Sequence, residues 1–195
     1  MSVRIQHGLP AHLRADAARL YWQAFGGKLG RVLGPDRLAL ALLDRVMRGD
    51  HAIIGLSDQG RLLGLVGFKS PEGAFAGGGL ADLRAVYGTV GALWRAGLLW
   101  LLERDLDNDR FLMDGICVAD GARGQGVGTA LLEAICAEGR IRGYPSVRLD
   151  VIDTNARARA LYERQGFKPT RTSKIGMLRW VFGFSAATTM VRTLS

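Results

Sequence analysis

One stretch of the chain decides the fold: Val118-Ala119-Asp120-Gly121-Ala122-Arg123-Gly124-Gln125-Gly126-Val127-Gly128-Thr129. The apolar run over 111–118 predicts a strand that ends where this stretch begins, and apolar spacing over 129–139 predicts a helix after it. Glycines at alternate positions let backbone N–H groups approach a ligand closely. The helix start adds unpaired N–H donors and the positive end of the helix dipole. The stretch therefore predicts an anion-binding loop.

Two common nucleotide-binding loops are excluded by the residues that follow Gly126. A Walker loop needs Lys and then Ser or Thr after its last glycine, but Val127 stands there. The Rossmann pattern needs a third glycine three residues after its second one, and that position is Thr129. For the loop taken alone, a glycine-rich turn that holds no ligand remains the alternative.

A second motif lies further along the chain, in Asn155-Ala156-Arg157-Ala158-Arg159-Ala160-Leu161-Tyr162-Glu163-Arg164-Gln165-Gly166-Phe167. The spacing Arg123-x-x-Gly126-x-Gly128 resembles the pyrophosphate loop of the GNAT superfamily of N-acetyltransferases. The second motif looks like that superfamily's Asn, Ala-x-x-Tyr-Glu and Gly-Phe signature. The two motifs in this order strengthen each other. The resemblance is close over about 111–170, and elsewhere only the order of elements agrees.

The rest of the chain predicts an α/β fold. The expected order is β-α-α-β-β-(α)-β-α-β-α-β-β, in which strand–helix–strand units give parallel neighbours and the hairpin over 51–70 gives antiparallel ones. We therefore expect a single domain over 1–195. It has a GNAT-type central mixed sheet of about seven strands flanked by helices, with a helical insert over 80–104 before the fourth strand. Other predicted segments are a helix over 13–25, a flexible break over 71–79 and a polar turn over 105–110.

Composition narrows the class of protein and its partners. The chain of 195 residues is 48% apolar with a net charge of +8. Residues 140–195 hold eleven Lys/Arg and three Asp/Glu, so the excess lies there. An anionic partner is expected, and a phosphorylated small molecule is favoured over nucleic acid because no nucleic-acid-binding pattern is present.

The cysteines and the most apolar stretch bear on location. Cys117 and Cys136 lack metal-ligand spacing, and free thiols suit a reducing, cytoplasmic compartment. The apolar run over 90–102 carries Arg95 and is too short to span a bilayer. We therefore expect no membrane span. The three histidines are far apart in sequence, so no metal site is expected.

The resemblance implies that acetyl-CoA is the acyl donor. It places the pyrophosphate on the backbone amides of Arg123, Gly124, Gln125, Gly126, Val127, Gly128 and Thr129. It also implies that backbone groups of Ile116, Cys117 and Val118 bind the acyl carbonyl, as an oxyanion hole does. Cys117 is then structural, and an acyl-cysteine route is the minority alternative.

The resemblance assigns the proton-transfer groups as well. Tyr162 lies where relatives keep a tyrosine near the sulfur, able to protonate the departing thiolate, although a core tyrosine is the alternative. Asn155 matches a residue that contacts the pantetheine arm or only caps a helix. For the base that deprotonates the amine, Asp114, Asp150 or water alone remain open. Strand alternation places Asp114 on the face of Ile116 and Val118, and we rank it first.

The acceptor is not identified by the sequence. A small-molecule amine is preferred because the apolar insert would enclose a compact acceptor. A protein N-terminus or lysine is the second choice, and a non-catalytic acyl-CoA sensor is a third from another class. The insert is predicted to border the acceptor site, with Tyr87 or Trp94 facing the thioester, while a homodimer surface or plain packing are the alternatives for this segment.

Overall fold

The computed structural model of the protein describes residues 2–102 and 110–194. Within these residues, eight strands form one sheet: β1 (Arg4–His7), β2 (Ala52–Leu56), β3 (Leu62–Ser70), β4 (Gly73–Ala74), β5 (Phe111–Val118), β6 (Ser146–Ile152), β7 (Lys168–Lys174) and β8 (Ala186–Thr193). The α-helices in the described ranges are α1 (Arg14–Leu33), α2 (Asp36–Val46), α3 (Leu80–Leu102), α4 (Val127–Ile141), α5 (Ala156–Arg164) and α6 (Arg179–Phe182), which flank the sheet.

The sheet runs in the order β1-β2-β3-β5-β6-β8-β7, and β4 pairs with the end of β3. Every pairing is antiparallel except that of β5 with β6, which is parallel. A parallel pair needs a crossover connection, and α4 supplies it. The mixed sheet flanked by helices that the sequence predicts is therefore confirmed, with seven strands along the sheet and the short β4 added.

Two hydrophobic clusters cover the two faces of the sheet. On one face, α1, α2 and α3 pack with buried residues such as Leu65 and Phe75. On the other face, α4 and α5 pack over residues such as Phe111 and Leu149. Val147, Leu149 and Val151 of β6 belong to the second cluster, so Arg148 and Asp150 alternate to the first face.

The limits of several segments differ from the sequence prediction. The first helix continues to Leu33 because Val32 and Leu33 are buried against the first cluster. The segment over 71–79 is not a flexible break, since it contains β4 and the fully buried Phe75. Of the polar turn predicted over 105–110, only Arg110 is among the described residues.

The insert forms α3, which bends at Gly88, where φ is 70°. Its Asp82 pairs with Arg45 of α2 at 2.8 Å, and the Tyr87 hydroxyl donates to the carbonyl of Leu33 at the end of α1. The Arg95 guanidinium stacks on Tyr87. The insert therefore packs on the α1 side of the sheet, beside α2.

Candidate active site

A gap in the sheet opens between β5 and β6. The parallel register pairs only Phe111 with Val147 and Leu112 with Arg148. Beyond these two pairs the strands diverge, although both continue to Val118 and Ile152. The divergence exposes the backbone of the second half of β5, including Ile116, Cys117 and Val118, to the gap. Backbone groups in such a gap can bind an extended ligand.

A β-bulge sits in β5 at the start of this gap. Across β3, Gly67 faces Gly115 but Phe68 faces Met113, so Asp114 is the extra residue. A Cβ at Gly115 would touch Phe25 and Tyr21 of α1, whereas Ile116 packs on the opposite cluster. The Asp114 carboxylate accepts a hydrogen bond from the Ala76 N–H, and Ala76 packs against the first cluster, so this carboxylate also lies on the α1 side. The prediction that Asp114 shares a face with Ile116 and Val118 is wrong, because the bulge resets the alternation.

Asp114 and Asp150 lie on the same face but in different surroundings. Asp114 is exposed, and its Oδ2 accepts a hydrogen bond from the backbone N–H of Ala76 at 3.3 Å. Asp150 accepts hydrogen bonds from Thr189 at 2.5 Å and from Arg148 at 3.2 Å. Each Asp150 oxygen therefore has a donor already.

Tyr162 approaches the gap from the other face. It is buried on α5 in the second cluster, with its ring centroid 6.1 Å from that of Phe167. Burial raises the pKa of its hydroxyl, and the charge of a Cys117 thiolate would raise it further. The phenol is therefore fully protonated at neutral pH and can serve only as a proton donor in that range.

The loop over 123–129 has the geometry of an anion site. Gly124 and Gly126 have φ of 77° and 83°, which residues with a Cβ rarely adopt. Gly126 is the N-cap of α4 and provides no side-chain hydrogen bond to the first turn. The first amides of α4 therefore remain available to an anion. Arg123, the first residue of the loop, pairs with Asp120 at 2.6 Å, and its exposed guanidinium can also bind an anion at the loop.

A cleft of about 320 Å³ connects this loop with α1. It is lined by Leu20, Gln23, Ala24, Val118, Asp120 and Arg123. On the far side of the loop, Asn155 Oδ1 accepts a hydrogen bond from the Ala158 amide and caps α5. The capping role of Asn155 is thus visible, and a contact with a pantetheine arm stays a prediction.

Cys117 is a buried thiol within the same strand. Burial raises its pKa to about 12. The thiol is therefore protonated at neutral pH and is a weak nucleophile. These surroundings fit the structural role and disfavour the acyl-cysteine route.

Two residues of α1 also reach this site, and sequence reasoning missed them. Tyr21 is buried, and burial together with the charge of Asp114 raises its pKa. Lys28 is half-buried, with Nζ 5.8 Å from the centroid of the Phe184 ring. Burial lowers the pKa of Lys28, while Asp114 and Asp150 oppose that shift. The available signal was spacing, since residues seven apart share a helix face.

Within residues 2–102 and 110–194, His, Cys, Asp and Glu side chains form no group of three that could hold a metal ion. In the same part of the chain, no helix combines the length and apolar character needed to cross a membrane.

The family of the chain is shown by comparison with known proteins. Residues 15–167 match the family described as Acetyltransferase (GNAT) family. The chain belongs to this family. Its members use acetyl-CoA as the acetyl donor, so the family and the donor expected from the two motifs are confirmed.

Individual relatives are more distant. The chain is 38% identical over 104 residues to a mycothiol acetyltransferase from Beutenbergia cavernae, a match of 46% of this chain and 34% of that protein. The N-acetyltransferase of Staphylococcus aureus Mu50 has the same fold, with a TM-score of 0.67 at 15% identity over 97% of this chain and all of that one. An acetyltransferase from Bacillus anthracis, solved with acetyl coenzyme A, gives 0.51 at 14% identity over 74% and 62%.

Proposed function

We propose that this GNAT protein moves an acetyl group from acetyl-CoA to the primary amine of a small molecule by direct attack in a ternary complex. One observation carries the proposal: Tyr162 packs in the cluster on one face of the sheet, and Asp114 of β5, hydrogen-bonded to Ala76, lies on the other face. A proton donor on one face and a proton acceptor on the other can serve the departing thiolate and the incoming ammonium separately.

The chain offers a group for each binding step. The amides and Arg123 of the loop over 123–129 fit a pyrophosphate, because uncapped N–H donors and positive charge converge there. Backbone groups of Ile116, Cys117 and Val118 in the gap bind and polarise the acyl carbonyl. The surfaces of α1 and the 175–184 segment then hold the acceptor.

Three proton transfers complete the reaction. Asp114, which is exposed, accepts a proton from the acceptor ammonium, directly or through water. The neutral amine then adds to the carbonyl carbon and forms the C–N bond, and its nitrogen loses a second proton to water as the tetrahedral adduct collapses and the C–S bond breaks. Tyr162 donates its proton to the departing sulfur, and solvent later reprotonates the tyrosine. Asp150 is the weaker candidate for the base, because Thr189 and Arg148 already donate to it.

The test is a thiol-release assay with acetyl-CoA across amines, amino acids and peptides, with products identified by mass spectrometry. Release with a small amine supports the proposal, and release only with peptides favours the protein acceptor. Tight binding of acetyl-CoA without release for any acceptor would point to the acyl-CoA sensor.

The two buried free thiols suit a reducing compartment, and we propose a cytoplasmic location.

A further inference from the structure

Lys28 stands out because its ammonium is partly removed from water without a carboxylate bonded to it in the described part of the chain. Among the residues that the structure describes, it makes no ion pair or hydrogen bond, and its Nζ lies 5.8 Å from the centroid of the Phe184 ring. Burial disfavours the charged form, which lowers its pKa. A partly desolvated ammonium is costly unless an anion compensates it. A bound ligand can supply that anion.

The position of Lys28 puts this charge beside the reacting groups. Asp114 of β5 and Asp150 of β6 both act electrostatically on it. Asp150 already accepts from Arg148 and Thr189, so it is not free to swing to Lys28. On α1, Lys28 follows Phe25 by three residues and Tyr21 by seven, so it shares their helix face. That face covers Gly115 of β5, next to Asp114. The α1 face of the sheet therefore carries an ammonium and a carboxylate beside the gap.

The wall around Lys28 is basic over a wider area. No Asp or Glu occurs between residues 17 and 35, or after Glu163. These two segments meet, because Arg31 donates to the carbonyl of Trp180 and the Arg179 guanidinium lies 5.0 Å from the Trp180 ring centroid. Lys28, Arg31 and Arg179 therefore place three cationic side chains where α1 meets the 175–184 segment.

We propose that Lys28 binds a carboxylate of the acceptor, so that the acceptor is a compact amine that also carries a carboxylate group. This inference rests on the proposed N-acetyltransferase function and names its substrate class. The two charges of an amino carboxylate match the pair that the site presents: its carboxylate meets Lys28, and its ammonium meets Asp114. The positive charge of Lys28 also favours the neutral, nucleophilic form of the nearby amine.

The experiment compares leucine and phenylalanine with their carboxamides, which differ in the charge of one group. Initial rates of thiol release are measured at saturating acetyl-CoA for the wild type, Lys28→Met, Lys28→Arg and Lys69→Met. Lys69 is exposed on β3, so its variant controls for loss of a positive charge elsewhere. The acetyl-CoA Kd and the melting temperature of each variant show whether donor binding and folding are intact.

We expect the wild type to prefer the carboxylates. Lys28→Met lowers kcat/KM for the amino acids by roughly 10–100-fold, the effect of one charge-assisted hydrogen bond, and changes the carboxamides less than about threefold. Lys28→Arg keeps the preference, and Lys69→Met behaves as the wild type.

Three results would overturn the inference. An equal loss on both acceptor types in Lys28→Met would give Lys28 a structural role only. A wild type that acetylates carboxamides or other cationic amines but no amino carboxylate would contradict the inference and leave the acetyltransferase function standing. Binding of acetyl-CoA without transfer to any amine would contradict the proposed function and this inference together.

Discussion

Thr189 Oγ1 donates a hydrogen bond to Asp150 Oδ1 at 2.5 Å, which ties β8 to β6 at the edge of the gap. Arg148 occupies the other oxygen at 3.2 Å. Hydrogen bonds to the charged form of a carboxylate stabilise that form and hold it in place. Both carboxylates are exposed, but Asp150 is held between β6 and β8 by its two donors, whereas Asp114 lies at the bulge of β5.

This contrast gives a prediction about the base. Asp114→Asn should lower kcat/KM by about 10²–10⁴-fold, the usual effect of a general base, and flatten the acidic limb of the rate–pH profile. The sign follows because a base works only when deprotonated, so the wild-type rate falls as pH falls and the amide removes that titration. The measurement is kcat/KM against pH with one acceptor.

Asp150→Asn is the matched comparison. It should keep the acidic limb and instead lower the melting temperature, since Arg148 is buried and loses its charged partner. The ranking of the two aspartates would be reversed if Asp150→Asn removed the limb and Asp114→Asn left it unchanged.

A second prediction concerns the acid. Tyr162→Phe should slow kcat by about 10²–10⁴-fold with little change in acetyl-CoA affinity, because the hydroxyl acts on the leaving group. Burial disfavours the phenolate and raises the Tyr162 pKa. The wild-type rate should therefore show no loss from Tyr162 ionisation up to about pH 10, the usual tyrosine pKa. If the variant is as fast as the wild type, Tyr162 is a core residue that only packs and does not act as the acid.

A third prediction separates direct transfer from an acyl-cysteine route. With a pKa of about 12, Cys117 should resist alkylation by iodoacetamide at pH 7.5 in the folded protein and react only after unfolding. Cys117→Ala should lose some stability through a small cavity but keep transfer within about a few-fold. Mass spectrometry after incubation with acetyl-CoA alone should find no acetylated Cys117, and its detection would restore the covalent route.

Much of this architecture follows from local pattern. The strand over 111–118, the glycine loop and the helix after it, predicted over 129–139 and observed over Val127–Ile141, can be predicted because apolar spacing and glycine position act over a few residues. The parallel crossover between β5 and β6 follows from the intervening helix. The capping of α5 by Asn155 also follows from a local signature.

What the sequence does not reveal depends on contacts between distant segments. The bulge at Asp114 arises from pairing with β3, and no residue near Asp114 in the sequence indicates it. In the sequence, Lys28 is an ordinary polar residue of a predicted helix. Its contact with Phe184 and the nearby charges of Asp114 and Asp150 arise only in the folded chain. Phe75 lies in a glycine-rich stretch that suggests a loop, yet it fills the space above Gly67.

Gly126 and Gly128 of the loop differ in backbone conformation and in the space around a Cβ. Gly126 holds a φ of 83° with open space around its Cα, so a side chain there meets backbone strain and projects into the anion site. Gly128 has no such backbone requirement, but a Cβ on it would lie 3.1 Å from Leu161 Cδ2. Gly143, in the turn after α4, holds a similar φ of 78° with open space, and lies outside the loop.

Because of these differences, substitutions of Gly126 and Gly143 should affect acetyl-CoA binding differently. Gly126→Ala and Gly143→Ala introduce the same backbone strain, so both should lower the melting temperature to a similar degree, by about 1 kcal/mol or more of folding free energy. Only Gly126→Ala reshapes the amides of the loop, so only it should weaken acetyl-CoA binding in calorimetry, by about 10–100-fold for one or two lost bonds to a charged group. Equal affinity in the two variants, with both folded, would place the pyrophosphate elsewhere and remove the main support for the loop assignment.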